Sequence, residues 1–118
     1  MTDVDSMVVW LREAMNAAQH DAEAAARAFP AWEFDECVKE VRDVPNAGTV
    51  ASIAVPAFGP HIARQSPAAV LRRTAADRKL LAECESAFEW DNWGAASLVE
   101  TAIRRLAEGY GWAEETTT

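Results

Sequence analysis

The 118-residue chain lacks most of the signals by which a sequence declares a chemistry. Its two cysteines, Cys37 and Cys84, have no CxxC spacing and no secretory context, so neither a zinc site nor a disulfide framework is indicated. Both read as reduced, packed thiols. HExxH and comparable ligand runs are missing, so no metal and no cofactor is expected. There is no glycine-rich phosphate loop and no RNA-binding aromatic signature. No apolar run approaches the roughly 18 residues of a membrane span, and the N-terminus MTDVDSMVVW is acidic where a secretory signal would be basic. A soluble cytoplasmic protein with no membrane association is the expectation.

Positive charge is also scarce, with 11 Lys and Arg against 19 Asp and Glu, for a formal charge of -8. The deficit is uneven: residues 1–45 carry ten acids and four bases, residues 46–81 one acid and five bases, and residues 82–118 eight acids and two bases. Acidic flanks repel a polyanion, yet they leave one basic segment able to meet phosphates locally.

What the sequence does have is helical periodicity. Val4, Met7, Val8, Leu11, Met15, Ala18, Ala22, Ala25, Ala26 and Phe29 fall at three- and four-residue steps, one buried stripe on a long helix that Pro30 ends. Asp3, Asp5 or Ser6 can cap it. Trp10 lies beside the stripe near Ala14 and Ala17, which leaves room for a second element or chain. Residues 31–55 fit helix and strand alike, but β-branched and aromatic content and the turn chemistry of Pro45-Asn46-Ala47-Gly48 favour two antiparallel strands, 31–44 and 49–55. An irregularity is expected near Asp35-Glu36. Pro56, Gly59 and Pro60 then form a loop leading to His61.

Ser66-Pro67 starts a second long helix, with serine as cap and proline at the first helical position, running to about Phe88. Val70, Thr74, Leu81, Cys84 and Phe88 share its inner face, with Leu71 and Leu80 on the borders. Asp77 falls within that face, and an ion pair with Arg73 satisfies it most simply. After the turn-like WDNWG, Ala95, Val99, Ala102, Ile103 and Leu106 form a third stripe that Gly109 can end in a left-handed cap. Glu100 and Glu108 neutralise Arg104 and Arg105. The fold expected is a single α+β domain over residues 1–112: long N-terminal helix, two-stranded antiparallel hairpin, long central helix and shorter C-terminal helix. Residues 113–118 read as a flexible polar tail.

His20 faces away from the buried stripe and reads as exposed. His61 suits a catalytic base or a structural imidazole, and because no Ser, Cys or carboxylate stands at a recognisable spacing from it, catalysis is the weaker of the two. Arg64, Arg72, Arg73, Arg78 and Lys79 form a basic group for phosphates, and His61, Arg64 and the helix amides near Ser66 are the anion-binding candidates. These charges spread over more than half of the helix circumference. Pairing within the molecule, against the acidic flanks, is the stronger reading, and it leaves Arg72 and Lys79 free. Trp90, Trp93 and Trp112 cluster with Phe88 and Tyr110 as either the seal of a small core or exposed anchors. A free sheet edge offers another surface to a second copy.

The block HIARQSPAAVLRRTAADRKLL resembles an uncharacterised family of small proteins from actinobacteria and their bacteriophages, whose pattern is His-Ile-Ala-Arg, x-x-Pro, Val-Leu-Arg and Arg-x-Leu-Leu. His61, Ile62, Ala63, Arg64, Pro67, Val70, Leu71, Arg72, Arg78, Leu80 and Leu81 carry the likeness. WLREAMNAAQHDAEAAARA resembles the family's first helix, and Pro30 with Trp32 its Pro-Trp. The likeness spans about residues 7 to 81 and loosens thereafter: the family's terminal Tyr, His-Pro, Tyr and Trp run is replaced by GYGWAEE. The resemblance implies a source and no activity.

The function expected is a non-enzymatic protein-interaction module whose partner is another protein or a second copy, with Trp90, Trp93, Trp112, Arg72 and Lys79 forming the surface. A phage or prophage accessory protein acting on a host protein fits that reading. The alternatives are a nucleic-acid-binding protein using the basic helix, and a small enzyme using His61 with a carboxylate.

Overall fold

The computed structural model describes residues 3–45, 48–89 and 96–113. In chain order the elements are α1 (Asp3–Ala26), β1 (Trp32–Asp35), β2 (Glu40–Asp43), β3 (Thr49–Ser52), α2 (Phe58–Ala63), α3 (Pro67–Glu89) and α4 (Ala96–Gly109). The class is α+β. Two compact units divide the chain, a helical one of residues 1–17 with 74–118 and a sheet-bearing one of residues 18–73.

The helical unit buries the stripe that the periodicity predicts. Val4, Met7, Leu11 and Met15 of α1 join Leu81 and Cys84 of α3, Ile103 and Ala107 of α4, and Trp112 in one core. Arg12 is ion-paired with Glu85, and Arg78 Nη2 donates to Asn16 Oδ1 at 2.6 Å. Advancing along α1 from residue 12 to 16 therefore retreats along α3 from 85 to 78, so the two helices are antiparallel. Ile103 lies near Phe88 and Tyr110 reaches Asp77, so α4 also runs against α3.

The end of α4 corrects one expectation. Gly111, not Gly109, takes the left-handed conformation, with φ 106°. Gly111 N–H donates to the Glu108 carbonyl and Trp112 N–H to the Ala107 carbonyl, both at 3.0 Å, the paired bonds of a Schellman turn. That turn delivers Trp112 into the core, where its ring meets Trp10 edge-to-face with centroids 5.3 Å apart. The space beside Trp10 is thus filled from within the chain.

The sheet corrects a second. Three antiparallel strands are present in the order β1-β2-β3, because the segment expected as one strand over 31–44 turns back on itself. Asp35 Oδ1 accepts the Cys37 N–H at 2.9 Å and Lys39 adopts φ 56°, which closes a four-residue loop between Asp35 and its register partner Glu40. The irregularity near Asp35-Glu36 is that reversal. β3 carries a bulge: Arg42 pairs with Thr49 and Val41 with Ala51, leaving Val50 over. A bulge on an edge strand twists it away from regular pairing, which makes β3 a poor template for a second copy. The expected loop before His61 contains the short helix α2, packed on β1 and β2 with Gly59 buried beneath the Phe34 ring.

Packing and backbone geometry set the cost of side chains at three glycines. A Cβ at Gly59 would stand 2.2 Å from Phe34 Cδ1, whereas one at Gly109 would meet nothing within 4 Å. Gly59→Ala should lose about 1–3 kcal/mol by overpacking. Gly111→Ala should lose about 1–2 kcal/mol by strain at positive φ. Gly109→Ala should be neutral or gain up to about 1 kcal/mol from helix propensity. Urea denaturation of the three variants measures all of these, and a Gly59→Ala protein as stable as the parent would refute the packing.

Candidate functional site

The anion-binding candidates His61, Arg64 and Ser66 stand around the N-terminus of α3, whose first amides are occupied. Pro67 has no N–H, Ala68 donates to the Pro30 carbonyl at 2.8 Å, Ala69 to Ser66 Oγ at 3.4 Å, and Val70 to the Ser66 carbonyl at 3.0 Å. Ser66 is buried as a cap. The first-turn donors are thus used within the chain, whereas the helix termini that bind anions leave them open. His61 and Arg64 are exposed near this point, and His61 has no carboxylate partner among the described residues.

Arg73 donates to Gln65 Oε1 at 2.8 Å and Arg78 to Asn16, so side-chain amides hold both. Arg64, Arg72 and Lys79 are exposed and make no ion pair among the described residues. Asp77 is satisfied by Tyr110, whose hydroxyl donates to Oδ2 at 2.6 Å, and not by Arg73. Arg104 and Arg105 are neutralised as expected, by Glu100 at 3.7 Å and Glu108 at 2.8 Å.

Trp90 and Trp93 lie outside the described residues, as does the WDNWG turn. Trp112 belongs to the core. His20 is exposed, as expected. Cys84 is buried, and burial pushes its thiol above the ordinary value, with Glu83 and Glu85 adding to the rise, so it stays a neutral core group. Cys37, expected to be packed, is exposed on the β1–β2 loop. Among the described residues no three His, Cys, Asp or Glu gather into a metal site, and no helix is long and apolar enough to cross a membrane.

A groove of about 220 Å³ in the helical unit is lined by Val4, Asp5, Val8, Val9, Glu85, Phe88, Glu89 and Ile103. Ile103 and Val4 are buried at its floor, while Val9 is 47% and Phe88 39% exposed on its walls. Sequence reasoning missed it. Phe88 fits the inner stripe of α3 by angle, but at the last turn it projects beyond the covering helices. Val9 sits one position off the α1 stripe, and that mismatch was the available signal.

The family model described as a family of unknown function, DUF6221, matches residues 4–111, from the first turn of α1 to the glycine that closes α4. The chain belongs to DUF6221. The match extends well beyond the 7–81 segment that carries the motif likeness, and it includes the groove and every helix of the core. No curated protein and no solved structure matches the chain.

The Asp77–Tyr110 contact holds the polar end of the helical unit, and Tyr110→Phe isolates it. Removing the donor leaves a half-buried carboxylate short of a partner, which should cost about 1–3 kcal/mol. The loss should appear as a lower urea midpoint at unchanged slope. Stability equal to the parent would show that the hydroxyl is replaceable by water.

Proposed function

We propose that this DUF6221 protein is a non-enzymatic protein-interaction module that associates with a second copy through the outer face of α3. The observation that supports this is the composition of that face. Ala75, Ala76, Lys79, Leu80, Ala82, Glu83, Ser86 and Ala87 are all exposed, and Leu80 is 45% so. A helix face that meets only water carries long polar side chains, whereas here small residues surround an exposed leucine. Laid antiparallel about Leu81, two such helices set Lys79 against Glu83 of the second copy at both ends, and Ala75 against Ala87. Neither Lys79 nor Glu83 is ion-paired among the described residues, so both are available, and the arrangement is a closed two-fold one. Trp90 and Trp93, which follow α3 in sequence, are further proposed anchors. The motif likeness to actinobacterial and actinobacteriophage proteins supports a phage or prophage accessory role in the cytoplasm, with a host protein as the eventual target.

Sedimentation velocity tests the association. The parent should be a dimer, Lys79→Glu and Glu83→Lys should each be monomeric, and the doubly swapped protein should dimerise again. A monomeric parent, or a dimer indifferent to both single changes, would remove the proposal.

A second reading, nucleic-acid binding, is favoured by one observation: Arg64, Arg72 and Lys79 are exposed and without ion pairs among the described residues. The net charge of -8 opposes it. It requires duplex DNA binding that weakens steeply with salt and disappears in the Arg72→Glu, Lys79→Glu double variant. Binding that ignores salt, or none at low salt, excludes it.

A further inference from the structure

The net charge of the chain is concentrated in the unit that holds the groove. Residues 1–17 and 74–118 contain twelve acids and five bases, while residues 18–73 contain seven and six. Four of those five bases are already engaged: Arg12 with Glu85, Arg78 with Asn16, Arg104 with Glu100 and Arg105 with Glu108. Among the described residues no lysine or arginine lines the groove, whose rim carries Asp5, Glu85, which Arg12 pairs, and Glu89. It also opens at the C-terminal end of α3, where the last carbonyls add partial negative charge and no basic residue offsets them.

Inside that negative rim the surface is aliphatic and aromatic. The groove exceeds the roughly 150 Å³ that accommodates a benzene ring in an apolar cavity, so one large apolar side chain fits between its walls. An anionic lipid surface or a nucleic acid would meet repulsion at the rim. A neutral apolar segment would leave Glu89, which makes no ion pair among the described residues, without a counter-charge.

We propose that this groove docks a cationic amphipathic segment of a partner protein, one large apolar side chain entering between Val9 and Phe88 while a flanking lysine or arginine meets Glu89. The proposal rests on the protein-interaction reading and names the chemistry of the partner. It uses a surface separate from the outer face of α3, since Glu85, Phe88 and Glu89 point toward α1 and α4 and the Ala75–Ala87 face points away from them.

The test is fluorescence anisotropy of the full chain with three labelled peptides: an amphipathic leucine-lysine helix, the same composition scrambled so that the leucines share no face, and the helix with glutamate in place of lysine. The first should bind, and the other two should bind at least about tenfold more weakly. Phe88→Ala and Glu89→Lys should each weaken the first peptide by about fivefold or more, at unchanged circular dichroism, because both side chains are exposed. Amide shifts on titration should centre on Val4, Val8 and Val9. Equal binding of the scrambled peptide, indifference to both substitutions, or no binding of the first peptide would each overturn the proposal. Lys79→Glu should bind this peptide like the parent whether or not it dimerises, so loss of self-association and loss of docking are read separately.

Discussion

Met7, Leu11 and Met15 are at most 1% exposed, and a stripe about 100° wide on one helix cannot be kept dry by a single neighbour. α3 and α4 must therefore both lie along it, antiparallel to each other, so the chain turns back between α1 and α3 and doubles back again before α4. The unbranched methionines fill the three-way seam between helices better than β-branched residues, whose rotamers are stiffer. Trp112 closes the open end. Its indole Nε1 is buried without a hydrogen bond among the described residues, a cost of about 1–3 kcal/mol. Burying a tryptophan returns about 4–6 kcal/mol at most, so burial wins.

The helices were legible because their signal is additive over many residues. Ten positions at helical steps mark α1, and no local competitor imitates that pattern. The sheet was half legible because its decisive residues are single ones: Lys39 at positive φ has no propensity that announces it, and the turn depends on one Asp35 carboxylate finding one Cys37 amide. Local spacing likewise favoured Arg73 for Asp77, but Tyr110, 33 residues away, reaches the carboxylate from the turn that follows α4. Gly109 and Gly111 both suit a helix end. The choice falls on Gly111 because only the later turn brings Trp112 against Trp10.

The exposure of the candidate site residues was more legible than what they bond. Arg72 and Lys79 point outward by angle, and they are exposed. Ser66 was recognised as a cap, and the same capping consumes the amides that an anion would need. The two roles were offered together, although a helix N-terminus satisfied by Ser66 and Pro30 is closed to ligands by that very fact.

The groove was invisible to motif reasoning because it contains no motif, only a placement that helix stability alone disfavours. Glu89 is the last residue of α3, where the macrodipole opposes negative charge by about 0.3–1 kcal/mol, and a basic residue there would have helped the helix. It also lies beside Glu85, four residues earlier on the same face, a like-charge spacing that costs a few tenths of a kcal/mol more. Arg12 relieves Glu85 but leaves Glu89 unpaired among the described residues. A carboxylate held against both the dipole and a like charge, on the lip of an apolar recess, is better explained by a positive group that arrives from outside than by anything the helix itself gains.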